Sequence, residues 1–306
     1  MMSRRDWLAV SGAALLPAAG GQSAFRLAVC SETFPGAPFS GICEAARRAG
    51  YTGLEIDPSN LGDDPASLTA PERRSLQNQL RVNGLHFCGL HSFLKAPKGL
   101  HLTTPDSAVR ARAWEYFARL IDLAADLGPA PFLALGSSKQ RQAIDGVSPA
   151  DAVKRLAEGL GKLAPLAANR GVTILVEPLA PHLCNVVNTM AEAIAVVEQV
   201  NSPAVQSMFD THNTTAEKSP LPVVIHKYAR YIRHVHLNEL DGRYPGSGTF
   251  PFAPVLQALR DLNYRGWLSV EVFDCKPGGE TVARLAAEHI RRIEKGLKYD
   301  FKRGKE

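Results

Sequence analysis

The chain has 306 residues, of which 45% are hydrophobic and 21% are charged, and its formal net charge is +5. This length suits a single large core, and no apolar run reaches the roughly 18 residues that a membrane-spanning helix requires, so we expect no membrane span. The positive excess is modest and collects between 291 and 306, where a solvated helix face is more usual than a nucleic-acid site. We therefore expect no nucleic-acid partner.

The first 22 residues differ from the rest of the chain. The pair Arg4-Arg5 precedes a short apolar run, and small residues with Gly20-Gly21 follow that run. Such a segment indicates an export signal, and paired arginines favour the twin-arginine route; an ordinary tail is the alternative. We predict a signal over 1–22 and one folded domain over 23–306 of an exported, periplasmic protein. Removal of Arg4, Arg5 and Asp6 would lower the formal net charge from +5 to +4.

Eight short apolar runs follow the leader. Near-continuous apolarity of this kind is typical of parallel strands that are covered on both faces. The predicted strands are 25–30, 53–56, 86–90, 132–135, 172–176, 205–209, 232–237 and 267–273. Amphipathic segments of helical period lie between them, for example 108–127, 148–169, 189–200, 252–262 and 280–297.

Eightfold alternation of strand and helix predicts a closed parallel α/β barrel, the (β/α)8 TIM barrel, as a single domain. A doubly wound open sheet is the alternative. No GxGxxG run follows the first strand, so we predict no dinucleotide site. None of the five cysteines forms a CxxC pair, and Cys30 and Cys88 lie in apolar runs, where buried free thiols are expected.

Ligand-type side chains collect at the ends of the last four predicted strands. Glu177, Asp210, His236 and Glu271 follow one another at intervals of 33, 26 and 35 residues, each about one strand and one helix. The loops after the strands form the active face of such a barrel. Carboxylates that are buried close together repel one another unless a cation holds them. We predict one divalent metal here, with Mn²⁺, Mg²⁺, Co²⁺ and Zn²⁺ as candidates.

The seventh strand carries two histidines, His234 and His236, two residues apart and therefore on one face. His236 is nearer the end of the strand and is the predicted ligand. We expect His234 to be a hydrogen-bonded core residue one layer below.

Several runs of the chain resemble the xylose-isomerase-like sugar phosphate isomerase/epimerase superfamily, which includes D-tagatose 3-epimerase and related ketose 3-epimerases. These runs are Val176-Glu177-Pro178-Leu179, Phe209-Asp210-Thr211-His212, His234-Val235-His236-Leu237-Asn238-Glu239 and Ser269-Val270-Glu271. The resemblance implies that the four residues above bind one divalent ion, with Mn²⁺ favoured. It also implies that Glu177 and Glu271 are the catalytic acid and base for proton transfer next to a ketose carbonyl, through an enediolate.

Other residues at the barrel mouth are candidate contacts for a small carbohydrate substrate. They are His91, Lys139, Arg141, His212, Asn213, Glu239 and Arg243. Lys139 and Arg141 belong to a loop with two serines that could hold an oxyanion or sugar hydroxyls, with an ordinary exposed loop as the alternative. The sequence leaves the oligomeric state open, a homo-oligomer included.

The sugar site departs from the family pattern more than the metal site does. The family's Asn, Arg and Glu after the fifth strand are replaced by residues 180–183, Ala-Pro-His-Leu. Asn213 stands where the family has a histidine, and Gly242 where it has an arginine, with Arg243 one residue late. Alternatives therefore stay open: a metal-dependent lyase or hydratase on 3-keto-sugars or keto-glycosides, or a non-catalytic sugar-binding barrel. An endonuclease IV type enzyme is disfavoured, because no Asp-x-His pair follows the seventh strand.

Overall fold

Eight parallel strands close into a barrel in the computed structural model, which describes residues 24–298. Each strand pairs with the next along the chain, and the last pairs with the first through Arg26↔Trp267 to Val29↔Val270. The strands are β1 (Arg26–Cys30), β2 (Gly53–Ile56), β3 (His86–His91), β4 (Phe132–Leu135), β5 (Thr173–Val176), β6 (Val205–Asp210), β7 (Ile232–Leu237) and β8 (Trp267–Val270). The predicted TIM barrel is confirmed.

A helix follows each strand on the outside of the barrel. The helices are α1 (Phe39–Arg48), α2 (Ala70–Val82), α3 (Ser107–Leu127), α4 (Pro149–Arg170), α5 (Met190–Val200), α6 (Leu221–Tyr228), α7 (Phe252–Asp261) and α8 (Gly279–Gly296). Their ends follow from local chemistry. Ser148 and Thr189 cap α4 and α5 by accepting hydrogen bonds from backbone N–H groups three residues on, and Gly171 ends α4 with a φ of +67°.

Side chains alternate between two apolar layers. The larger layer lies between the strands and the surrounding helices. A smaller cluster packs inside the barrel, and its members are Ala28, Cys88, Phe132, Ala134, Leu175 and Met208. Because successive strand residues face opposite sides, Glu177 and Asp210, two positions after Leu175 and Met208, point to the same interior, closer to the carboxyl ends. That is where the polar residues described below lie.

Three features of the described chain bear on the sequence predictions. The eighth strand ends at Val270 rather than 273, because its ladder with β7 stops at the pair Leu237↔Val270. All five cysteines are free, and Cys30 and Cys88 are buried as predicted. Between residues 24 and 298, no helix has both the length and the apolarity that crossing a bilayer would take. The signal predicted over 1–22 lies outside the described residues and stays a prediction.

Candidate metal centre and catalytic site

The last four strands bring the four predicted ligands together. Glu177 directly follows β5, Asp210 ends β6, His236 lies near the end of β7 and Glu271 directly follows β8. In the ladder between β6 and β7, Asp210 is opposite His236. Each of the four residues offers one ligand atom, and these atoms all lie within 4.8 Å of one another. All four residues are buried, none more than 5% exposed.

The arrangement concentrates negative charge. Burial, together with the nearby Glu271 carboxylate, raises the pKa of Glu177 to about 6, although His236 opposes this shift. Burial also raises the pKa of Asp210 well above its usual range, and Glu271 and Glu177 add to that shift. Three carboxyl groups at this distance are thus costly to ionise together in the protein alone. A cation between them would remove that cost.

The donor set fits a divalent metal ion. His236 Nδ1 is buried without a hydrogen-bond partner, and it lies 3.2 Å from Glu271 Oε2 and 4.0 Å from Glu177 Oε1. A buried polar atom is normally satisfied, so an unpaired nitrogen aimed at carboxylate oxygens indicates a ligand position. Three carboxylates and one imidazole suit Mn²⁺, Mg²⁺, Co²⁺ or Zn²⁺. Glu177, Asp210, His236 and Glu271 would hold the ion.

The orientation of His236 depends on Glu55, a fully buried residue of β2. Glu55 Oε1 lies 3.0 Å from His236 Nε2, and Glu55 Oε2 lies 2.8 Å from His234 Nε2. Burial raises the pKa of Glu55, but the two imidazoles outweigh burial and hold it well below its usual range. An ionised carboxylate only accepts, so both Nε2 atoms donate, and Nδ1 of His236 is left for a metal. The prediction that His234 is a hydrogen-bonded core histidine is confirmed.

Asn213 and His212 follow β6 and lie beside the cluster. Asn213 Nδ2 donates to Asp210 Oδ2 at 2.6 Å and to Glu177 Oε1 at 3.2 Å. His212 Nδ1 lies 3.1 Å from the carbonyl oxygen of Glu239, which fixes the ring at the edge of the site. Both side chains line a cavity of about 430 Å³ that opens above the cluster, as do Glu177 and Glu271.

Gly136, directly after β4, was not predicted as a site residue. A Cβ atom at this position would lie 1.9 Å from Glu177 Oε2. The absence of a side chain at 136 therefore makes the room that the Glu177 carboxylate occupies. A glycine directly after a predicted strand, next to strand-end polar residues, is the sequence signal that could have indicated this close approach.

The structure corrects the expectation for Arg141. Its side chain is fully buried rather than exposed at the mouth. The guanidinium donates to the carbonyl oxygens of Leu135 at 2.7 Å and of Glu177 at 2.5 Å. Arg141 thus ties the end of β4 to the end of β5 and does not line the cavity. From the same loop, Lys139 does line it.

Three further candidates lie outside the cavity wall. The Glu239 carboxylate accepts from the backbone N–H groups of Gly246 at 3.0 Å and Phe250 at 2.9 Å, so it holds the turn over residues 245–248, Pro-Gly-Ser-Gly. Arg243 pairs with Asp241 at 2.7 Å and donates to Ser247 O on the surface. His91 is 1% exposed, does not line the cavity and lies 3.5 Å from carboxylate oxygens of Glu32 and Glu55. Direct substrate contact is thus not supported for these three residues.

A TIM barrel with four candidate metal ligands gathered at the carboxyl ends of β5–β8 defines the class of this protein. Residues 43–293 match the family described as "xylose isomerase-like TIM barrel", and the chain belongs to this family.

Individual relatives and solved structures agree with that assignment. The chain is 28% identical to a D-psicose 3-epimerase of Agrobacterium fabrum, over 79% of this chain and 82% of the relative. It superposes on a D-psicose 3-epimerase from Clostridium cellulolyticum with a TM-score of 0.76 and 20% identity, covering 88% of this chain and 99% of that one. It also superposes on a 3-keto-D-glucoside 4-epimerase from E. coli with a TM-score of 0.75 and 18% identity, covering 89% and 100%. The two superpositions show a shared fold.

Proposed function

We propose that the protein is a divalent-metal-dependent sugar epimerase or isomerase that moves a proton on a carbon next to a ketose carbonyl. One observation carries the proposal. Four buried residues each place a potential ligand atom within 4.8 Å of the others, and two of these residues, Glu177 and Glu271, also line the cavity. Relatives named as D-psicose and L-ribulose 3-epimerases support epimerisation at the third carbon. They do not favour the lyase, the hydratase or the non-catalytic barrel that the sequence left open.

The position of each of the four residues relative to the cavity indicates its role in the reaction. When bound, a divalent cation polarises a carbonyl group and makes the neighbouring proton more acidic. Glu177 and Glu271 reach the cavity, so one carboxylate can remove that proton and the other can return a proton to the same carbon. Asp210 does not line the cavity, and Asn213 holds its carboxylate beside that of Glu177. Asp210 and His236 would therefore serve in binding alone.

Mn²⁺ is our first choice of metal, by resemblance to the ketose 3-epimerases. Three of the four ligands are carboxylates, and oxygen-rich sets suit Mn²⁺ and Mg²⁺, whereas structural zinc sites are richer in cysteine and histidine. Co²⁺ and Zn²⁺ remain candidates. Elemental analysis of the purified protein, followed by reconstitution of the metal-free protein with each ion in turn, would rank them.

Exchange with solvent deuterium tests the proposal. The metal-loaded protein is incubated in D2O with a panel of ketoses, and mass spectrometry reads deuterium incorporation at the carbon next to the carbonyl. We expect incorporation with at least one ketose and its loss in Glu177→Gln and Glu271→Gln. Glu158→Gln, on the exposed face of α4, is the matched control and should exchange normally. If no ketose exchanges with any of the four ions, the proton-transfer proposal is wrong.

A further inference from the structure

The cavity above the metal cluster continues toward the loops after β3 and β4, which are neighbours in the barrel. Its charged lining divides into two parts. At the cluster lie the carboxylates of Glu177 and Glu271. The other part consists of three lysines: Lys95 and Lys98 from the β3–α3 loop, and Lys139 from the β4–α4 loop. Apart from the two glutamates, no acidic side chain within residues 24–298 lines this cavity.

One of the three lysines, Lys95, already forms ion pairs with carboxylates of the protein. Lys95 Nζ lies 3.1 Å from Glu32 Oε2 and 3.0 Å from Asp57 Oδ2. Burial lowers the pKa of Lys95, but these two carboxylates outweigh burial and raise it overall, so this amine stays charged. The Lys95 ammonium group is thus neutralised by Glu32 and Asp57, which lie just after β1 and β2. Lys95 therefore holds its loop against the ends of these two strands.

The other two lysines have no such partner. Among the described residues, neither Lys98 nor Lys139 makes an ion pair or a side-chain hydrogen bond, and both side chains are exposed. Two unpaired ammonium groups, from the loops after the adjacent strands β3 and β4, thus contribute to the lining of one cavity, and we refer to Lys98 and Lys139 together as its basic wall. Lysine is a flexible point charge that suits anionic groups such as carboxylates and phosphates. A cleft lined by one sign of charge also concentrates ligands of the opposite sign.

We propose that this wall is a subsite for an anionic group, a carboxylate or a phosphate, at the end of the substrate remote from the reacting carbon, and that Lys98 and Lys139 bind it. The inference rests on the proposed function, because it places the reacting carbon at Glu177 and Glu271. It narrows the substrate class from ketoses in general to ketoses that carry a negative charge. The volume of about 430 Å³ lies within the range of ligand pockets and leaves room for such an extension.

Equilibrium binding tests the subsite separately from turnover. The Mn²⁺-loaded protein is titrated by calorimetry with three probes: D-fructose, D-fructose 6-phosphate and D-fructuronate. We expect at least one anionic probe to bind about tenfold more tightly than D-fructose, and the double variant Lys98→Gln/Lys139→Gln to remove that preference. The two anionic probes separate a phosphate subsite from a carboxylate subsite. Lys162→Gln, on the exposed side of α4, is the matched control and should keep the preference.

The possible failures are distinguishable. Equal affinity for all three probes, including no detectable binding of any, overturns the subsite. A preference for anions that survives in the double variant also overturns it, because the anion then binds elsewhere, for example at the metal. A lysine-dependent preference without deuterium exchange supports the subsite and contradicts the proton-transfer function. Deuterium exchange without an anion preference supports the proton-transfer function and overturns the subsite.

Discussion

Replacing Glu55 with glutamine tests whether this carboxylate orients the metal-binding imidazole. Glu55 is fully buried, and its two oxygens face the Nε2 atoms of His234 and His236 at 2.8 and 3.0 Å. Glutamine has the same shape but offers one oxygen and one NH2 group, so it can accept from only one of the two imidazoles. The other ring must lose its contact or change tautomer. If His236 changes, its Nδ1 carries the proton and cannot bind a cation.

The expected result is a loss of Mn²⁺ affinity of about 10- to 100-fold, the range typical when the hydrogen-bond partner of a metal-bound histidine is removed. This loss corresponds to about 1.4–2.8 kcal/mol of binding free energy. Calorimetric titration of the metal-free protein with Mn²⁺, at fixed pH and salt concentration, measures this loss of affinity. ¹⁵N NMR of the imidazole groups reports whether the tautomer of His236 has changed.

Glu294→Gln is the control for loss of a buried glutamate. Glu294 is 7% exposed, accepts from Phe25 N just before β1 and pairs with Arg260. It lies at the opposite end of β1 from the metal cluster, so we expect Glu294→Gln to lower stability without changing Mn²⁺ affinity. If Glu55→Gln is folded by circular dichroism and binds Mn²⁺ as tightly as the unmodified protein, our account of His236 is refuted.

Three further substitutions test other contacts of the site. Gly136→Ala places a Cβ atom 1.9 Å from Glu177 Oε2, so we expect weaker Mn²⁺ binding in the same titration; unchanged affinity would mean that the Glu177 carboxylate is free to move. Asp210→Asn removes one charged ligand, so elemental analysis should find the purified variant depleted of metal, and full metal content would exclude Asp210 as a ligand. Arg141→Met leaves the carbonyl groups of Leu135 and Glu177 without their donor and should cost about 3 kcal/mol of unfolding free energy in urea denaturation. A cost near zero would show that water replaces the guanidinium.

The fold could be predicted because its signals are local. The bounds of β2, β4 and β7 agree with the apolar runs, and Ser148, Thr189 and Gly171 mark helix ends through contacts within a few residues. The eighth strand was predicted three residues too long, since Val272 is apolar and buried although the ladder has ended. Burial alone does not distinguish a strand from the buried loop that follows it.

The site could be predicted only in part, because its supporting contacts are remote in sequence. The closeness of the four predicted ligands could be expected from their place at the ends of successive strands. The contact between Glu55 and His236 joins residues 181 apart, and nothing near either residue indicates the other. A charged residue inside the apolar β2 is a signal that could have indicated a buried partner, but not which residue that partner is. For Arg141 the sequence prediction was wrong, because a cationic residue in a loop is normally expected to be exposed. Only the fold shows that Arg141 is buried and reaches the carbonyl groups of Leu135 and Glu177.

The contact between β2 and β7 has a consequence for how the barrel can be divided. All four predicted ligands come from the ends of β5–β8, so a fragment that begins after β4 would contain every atom of the proposed metal site. That fragment would lack Glu55, the acceptor that turns one imidazole nitrogen toward the metal. Gene duplication or fission at the midpoint would therefore yield a half with a complete inner coordination sphere and a misdirected histidine. Metal binding through His236 therefore depends on residues from both halves of the barrel.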